Sequence, residues 1–234
     1  MCIDHLVFLQ IMQLADSALP IGSLAHSFGL ETLVAEGVLT VGQLESLLRD
    51  YLDEVGGLES VFCRLGYRLA SLDLGTFEPR WLALNEQLSA FKTARESRTA
   101  SAALGRRFLQ LVQDVQENQM IRAAQQSAKA AEADVHYSSA FGLVAGILGV
   151  DETATVLAHL QQFLTGLVSA CQRLMPLGQS QASKIIWRLK PTLIAIAKRY
   201  EAFDLNSDAV VAFTPLVDIG SMRHPLLTTR LFIS

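Results

Sequence analysis

Thr40 to Val55 reads TVGQLESLLRDYLDEV, and its spacing decides the fold class. Thr40 and Gln43 form a capping box, the signature of a helix start. Behind it Val41, Leu44, Leu47, Leu48, Tyr51, Leu52 and Val55 fall on one apolar face at helical spacing. The same spacing returns in Leu58–Leu72 and Trp81–Phe91. It returns again in the longer Arg95–Gln116, where Leu104, Phe108, Leu111, Val112 and Val115 point inward. Asp151 caps a segment running through Leu157, Leu160, Phe163, Leu164, Leu167 and Val168 to Leu174, stopped by Pro176 and Gly178. A further helix begins near Gln179, and Pro191 kinks or restarts it. Gln116 to Asp134 is polar and Ala-rich without Pro or Gly, so it reads as an exposed helix rather than a linker. No sustained period-two alternation is present, and strands are not expected. The expectation is an all-α, single-domain helical bundle of roughly eight to ten helices over residues 1–234.

Half of the 234 residues are hydrophobic and 18% are charged, with a mean hydropathy of +0.31. That composition supplies a large helical core, and it also suits a further buried interface. A net charge of −4 and a pI near 5.7 argue against a nucleic-acid partner, which needs a concentrated basic surface. Of the 19 basic residues 14 are Arg, the residue suited to packed, bidentate contacts. Cys2, Cys63 and Cys171 are odd in number and widely spaced, which gives neither a disulfide framework nor a zinc ribbon. Cys2 and Asp4 stand where a secretory signal would carry positive charge. The longest apolar run, Phe141 to Val150, has ten residues and three glycines, too few to span a bilayer. A cytoplasmic protein without a membrane partner is expected.

Chemistry concentrates at the two ends. Near the start, Leu19 to Glu31 reads LPIGSLAHSFGLE. Pro20 and Gly22 break one helix and Ser23 or its neighbours can cap the next, which places His26 and Ser27 in its first turn. A catalytic Ser–His pair lacks support: there is no GxSxG elbow and no third triad member. At the other end, Asp218 to Ser234 reads DIGSMRHPLLTTRLFIS, with Asp218, Ser221, Arg223, His224 and Arg230 set among large apolar residues. Disordered tails are poor in such residues, so this one either folds back onto the body or is held for a partner. Between the ends, RESRTAS (Arg95 to Ser101) reads as a solvated charged face, with Gly105 beyond it marking close helix approach. HYSSAFGLVAGILGVD (His136 to Asp151) lines up Ala140, Gly142, Ala145, Gly146 and Gly149. It serves core packing or a self-association face. His5, His26, His136, His159 and His224 never fall into HxxxH or HExxH spacing, so no metal site is expected. No phosphate-binding glycine loop is present either.

Taken in order, LPIGSLAHSFGLE, ESR, HYSSAFG, the PLGQ of Pro176–Gln179, DIGSMRH and RLFIS resemble the urease accessory protein F family (UreF) over almost the full chain. The resemblance implies an all-α protein without catalytic activity of its own, which dimerises and binds the urease accessory scaffold called D or H. That complex recruits the G-type accessory GTPase and the urease apoprotein. Nickel is then inserted under timed GTP hydrolysis, handled by the complex rather than held as a cofactor. By the same resemblance residues 214–234 form a partner-docking tail. Ser221, Met222, Arg223 and His224 dock the scaffold, and Arg230 with Leu24 recruits the GTPase. Gly22, Ser23, His26, Ser27, Gly29 and Glu31 form an N-terminal motif near the same partner surface. His136, Ala140, Gly142 and Gly146 are dimer candidates. Leu24 stands where the family often has an aromatic, Pro225 where it often has an acid and Thr228 where Tyr is frequent.

Two other readings compete. One is a helical-bundle enzyme acting on a small molecule, with His26, Glu31 and His224 as acid–base groups. The other is direct nickel chaperoning, which needs a His or Cys that binds the ion.

Overall fold

The computed structural model describes residues 4–203 and 212–234. Among them there is no strand, and the helices follow one another through short turns. The buried apolar side chains form one continuous cluster. Asp4 caps α1 (His5–Leu14) by accepting from the Leu6 and Val7 amides. A single 3-10 turn (Ser23–Ala25) leads to α2 (Leu30–Ala35). His26 and Ser27 therefore lie in a loop ahead of α2 and not in its first turn, because Gly29 rather than Ser23 caps that helix.

The Thr40–Gln43 device is half a box. The Gln43 side chain accepts from the Thr40 amide at 3.1 Å, and the Thr40 hydroxyl donates to the same oxygen. The helix starts at Leu44. From there α3 (Leu44–Tyr51) runs through one π turn (Leu52–Gly56) into α4 (Gly57–Leu69), the centre of the bundle. Next, α5 (Leu74–Phe91) begins earlier than the apolar spacing implies, since Asp73 caps it through the Thr76 amide two turns before Trp81. It is followed by α6 (Arg95–Val115) and α7 (Gln119–Ala130). Helix α7 is not simply exposed. Ile121, Ala123, Ala124 and Ala128 are buried, and the Trp81 indole of α5 donates to the Ala124 carbonyl at 3.1 Å.

The glycine-rich α8 (Tyr137–Ile147) lies against α4 and α6. His136 precedes it, fully buried, with Ser89 and Ser101 hydroxyls at its two ring nitrogens (2.7 and 3.2 Å). Burial, with Lys92 nearby, lowers the pKa of His136 from 6.5 to about 3, so the ring is neutral. Asp151 caps α9 (Glu152–Leu174) through the Ala154 amide. Helix α10 (Gln179–Arg199) continues through Pro191, which faces solvent and breaks nothing in the core. Last comes α11 (Pro215–Arg223), ahead of a 3-10 turn at His224–Leu226.

Ionic groups also sit inside the bundle. Arg64, 2% exposed, donates to Glu152 at 2.8 Å and to the Ala197 carbonyl at 2.7 Å. Glu59 is ion-paired with Lys92, with His159 beside it. Burial opposes ionisation of the Glu59 carboxyl, yet Lys92 and His159 together hold it well below the usual carboxylate range.

Candidate functional site

Leu19–Glu31 and Pro215–Ser234 are far apart in sequence and interlocked in space. Gly29 has a left-handed backbone (φ 88°), and here α2 and α11 meet. A Cβ at Gly29 would come within 2.5 Å of the Val217 carbonyl oxygen and 2.9 Å of the Ser221 nitrogen. Glycine is thus required both by backbone angle and by space. Ser221 is buried, and its hydroxyl oxygen accepts from Ser97 of α6 at 3.0 Å. Helix α11 is wedged between α2 and α6.

The next turn of the tail drives His224 into the interior, where it is fully buried. Its Nε2 lies 2.8 Å from Glu31 Oε2 and its Nδ1 lies 3.1 Å from Glu96 Oε2. The imidazole thus has a carboxylate oxygen within hydrogen-bond distance of each ring nitrogen. Glu31 also accepts from the Leu231 amide at 2.6 Å and the Phe232 amide at 3.2 Å. One buried carboxylate from α2 therefore holds a tail side chain and two tail amides.

The last residues are pinned further. The Ile233 amide donates to the Ala25 carbonyl, and the Ser27 amide donates to the Ser234 carbonyl oxygen. His26 Nδ1 lies 2.7 Å from the Ser234 hydroxyl. Burial, with Arg107 nearby, lowers the pKa of His26 from 6.5 to about 4, so this ring is neutral. From α9, Arg173 donates to the Leu24 carbonyl at 2.9 Å and places its guanidinium 4.2 Å from the centre of the Phe232 ring.

The clasp sorts the candidate residues by face. Ser221 and His224 of the tail, and His26, Ser27, Gly29 and Glu31 of the N-terminal motif, are inside. Gly22 and Ser23 are half-buried at the turn. Leu24, Met222, Arg223 and Arg230 are on the surface. Around them Ile219, Leu226, Leu231 and Ile233 are exposed, Leu226 to 78% and Ile233 to 67%. Arg223 pairs with Glu36 at 2.8 Å across the outer edge. Beside this rim, Arg95, Thr99, Arg107 and Met222 line a groove of about 510 Å3. The dimer candidates lie elsewhere. His136, Ala140 and Gly142 are buried, and Gly146 is half-buried against Tyr67 of α4 and Ala70 just beyond it in the same chain.

Composition alone left Glu96, Ser97 and Arg173 unassigned. Glu96 and Ser97 sit in the stretch read as a solvated face, and only the ESR of the resemblance marked it. Arg173 carried no signal, since its partners are two backbone carbonyls and a ring supplied by distant segments.

This arrangement holds the two chain ends together. Both nitrogens of His224 and both oxygens of Glu31 are engaged, which leaves neither open for proton transfer to a bound molecule. Among the described residues, no group of three or more His, Cys, Asp and Glu side chains is arranged to hold a metal ion. Burial raises the Cys171 thiol to about 12 and pushes Cys63 up as well, away from the thiolate form that binds metals. Cys2 is outside the described residues. Among the described residues, no helix is long and apolar enough to cross a membrane.

A profile of the UreF family matches residues 38–190. The chain belongs to the UreF family. It is 33% identical over 236 aligned residues to the urease accessory protein UreF of Nostoc sp., covering 99% of this chain and 97% of that one. It is 31% identical to the UreF of Actinobacillus pleuropneumoniae, covering 96% and 97%, and 30% identical to that of Haemophilus influenzae, covering 96% and 94%. The likeness to these UreF proteins thus extends beyond residues 38–190 to include both interlocked ends. Membership supports a urease accessory role alongside other urease accessory proteins.

Proposed function

We propose that this chain is the adaptor of urease maturation, a cytoplasmic, non-catalytic homodimer that bridges the D/H-type scaffold and the G-type GTPase. Nickel is the cargo of the complex and ends in the urease apoprotein, and the adaptor modulates the GTP hydrolysis that times its delivery. The observation that supports this reading is the rim of Leu24, Met222, Leu226, Leu231 and Ile233, large apolar side chains held outward by a buried ionic clasp. Exposed apolar side chains of this size, set among arginines, have the composition of interface hot spots. In this scheme Met222 and Arg223 meet the scaffold, with Ser221 and His224 fixing the segment beneath them. Arg230 and Leu24 meet the GTPase.

The test is capture of purified scaffold and purified GTPase by the intact chain and by two variants, Met222→Asp and Arg230→Ala. Met222→Asp lowers scaffold capture at least tenfold, and Arg230→Ala lowers GTPase recruitment onto the scaffold complex, both with unchanged helicity. Full capture by both folded variants removes this surface from the mechanism. No capture by the intact chain removes the adaptor reading itself.

A further inference from the structure

Helix α10 carries a face that neither the core nor the clasp uses. Lys184, Trp187, Pro191, Ile194 and Lys198 follow one another at intervals of three, four, three and four, the spacing of a helix-pairing seam. All five are exposed, Trp187 to 71%. From Lys184 to Lys198 the seam rises about 21 Å at 1.5 Å per residue, long enough for about four turns of a second helix. Lys190 extends its edge and holds its ammonium 4.1 Å from the centre of the Trp187 ring.

The charge of this helix is one-sided. From Gln179 to Arg199 it has Lys184, Arg188, Lys190, Lys198 and Arg199 and no acidic residue, in a chain whose net charge is −4. Arg188 and Arg199 lean off the seam onto Glu45 (2.7 Å) and Asp53 (3.1 Å). Among the described residues, no carboxylate lies within ion-pair distance of Lys184, Lys190 or Lys198. An indole and an isoleucine flanked by lysine ammonium groups call for a ligand with an apolar stripe and acidic flanks. A second copy of α10 does not supply that, because antiparallel pairing would set Lys184 against Lys198. An anionic membrane would meet the repulsion of the net negative chain.

We infer that the seam Lys184–Trp187–Pro191–Ile194–Lys198 is the docking site for an acidic amphipathic helix of another protein in the urease assembly. This rests on the adaptor reading, and it adds a second contact remote from the clasp. Steering by the three lysines speeds encounter, and Trp187 anchors the bound helix.

Hydroxyl-radical footprinting with mass spectrometry tests it on the intact chain, alone and in the reconstituted assembly of scaffold, GTPase and urease apoprotein. Trp81, fully buried, is the internal control. Oxidation of Trp187 falls at least fivefold in the assembly, and this protection is lost in 0.5 M salt and in the K184E/K190E/K198E variant, whose helicity is checked by circular dichroism. An assembly that forms while Trp187 stays fully oxidised overturns the inference and leaves the adaptor reading standing. An assembly that does not form removes both. Protection of Trp187 in the isolated chain at rising concentration, or by phosphatidylserine vesicles alone, also overturns it, in favour of a second copy or a membrane surface.

Discussion

Helix α8 and the C-terminal segment are both apolar by composition, yet they do opposite things with that character. Along α8 the side chains shrink to Ser, Ala and Gly so that its backbone presses against α4. A Cβ on Gly142 would collide with the Cys63 carbonyl oxygen, and one on Gly66 with the Ser139 carbonyl. Nearly every residue of α8 up to Ala145 is buried. The tail keeps its apolar side chains large and turns many of them outward, while one histidine and a few amides hold it down. Close-packed backbone yields stability and no binding surface. A polar clasp yields a fixed surface at modest stability.

The sharpest way to break this contrast is to add one methyl group to α8. Gly142→Ala lowers unfolding free energy by about 3 kcal/mol or more, since the obstacle is backbone rather than a flexible side chain. Denaturant unfolding reads this directly, and an unchanged midpoint would mean that α4 and α8 are not the stability centre. The corresponding change in the tail is His224→Ala, which removes the ring that both Glu31 and Glu96 contact. It costs about 1–3 kcal/mol and acts locally. Hydrogen exchange of the Leu231 and Phe232 amides accelerates while amides of α4 and α8 keep their protection. Equal loss of protection in both places would merge the two regions into one cooperative unit.

Acid provides a third comparison. His26 in the clasp and His136 in the core are both neutral when folded, with pKa values lowered to about 4 and about 3 from 6.5. The unfolded chain therefore binds more protons below pH 6.5, so stability from each neutral ring is complete above 6.5 and is lost as pH falls. The loss runs down to about pH 4 for His26 and about pH 3 for His136. Thermal melts across this range slope downward with acid. His136→Gln removes more of that slope than His26→Gln, and the reverse order would place the greater desolvation in the clasp. The smallest effect on stability belongs to Arg230→Ala on the exposed end of the tail. It shifts unfolding by no more than about 0.5 kcal/mol while reducing GTPase recruitment, which separates binding from folding.

The helices were legible where period and caps agree. Asp151, Pro176 and Gly178 bound α9 as the sequence implies, and Arg95 and Val115 bound α6 within a residue of the expectation. Legibility failed where a cap sits away from the apolar run. Asp73 starts α5 before Trp81, and Gly29 rather than Ser23 starts α2. The sequence of helix α7 reads as exposed because alanine has little hydrophobic weight, although alanines let α5 approach closely. In the clasp, the tail's unusual composition was visible, but its clasping partners were not. Glu96 looks like any solvated acid on a helix, and Arg173 like any basic residue near a helix end.

Local chemistry thus determined the helices, their faces and the unusual character of both chain ends, because period, propensity and capping act within a few residues. Only the tertiary structure decided that the two ends interlock and that α8 meets α4 of its own chain. It also decided that His224 points inward while Met222 and Arg230 point out. A buried charge is stable only where its partners converge, and Glu31, Glu96 and His224 converge across intervals of 65 to 193 residues that no local pattern encodes.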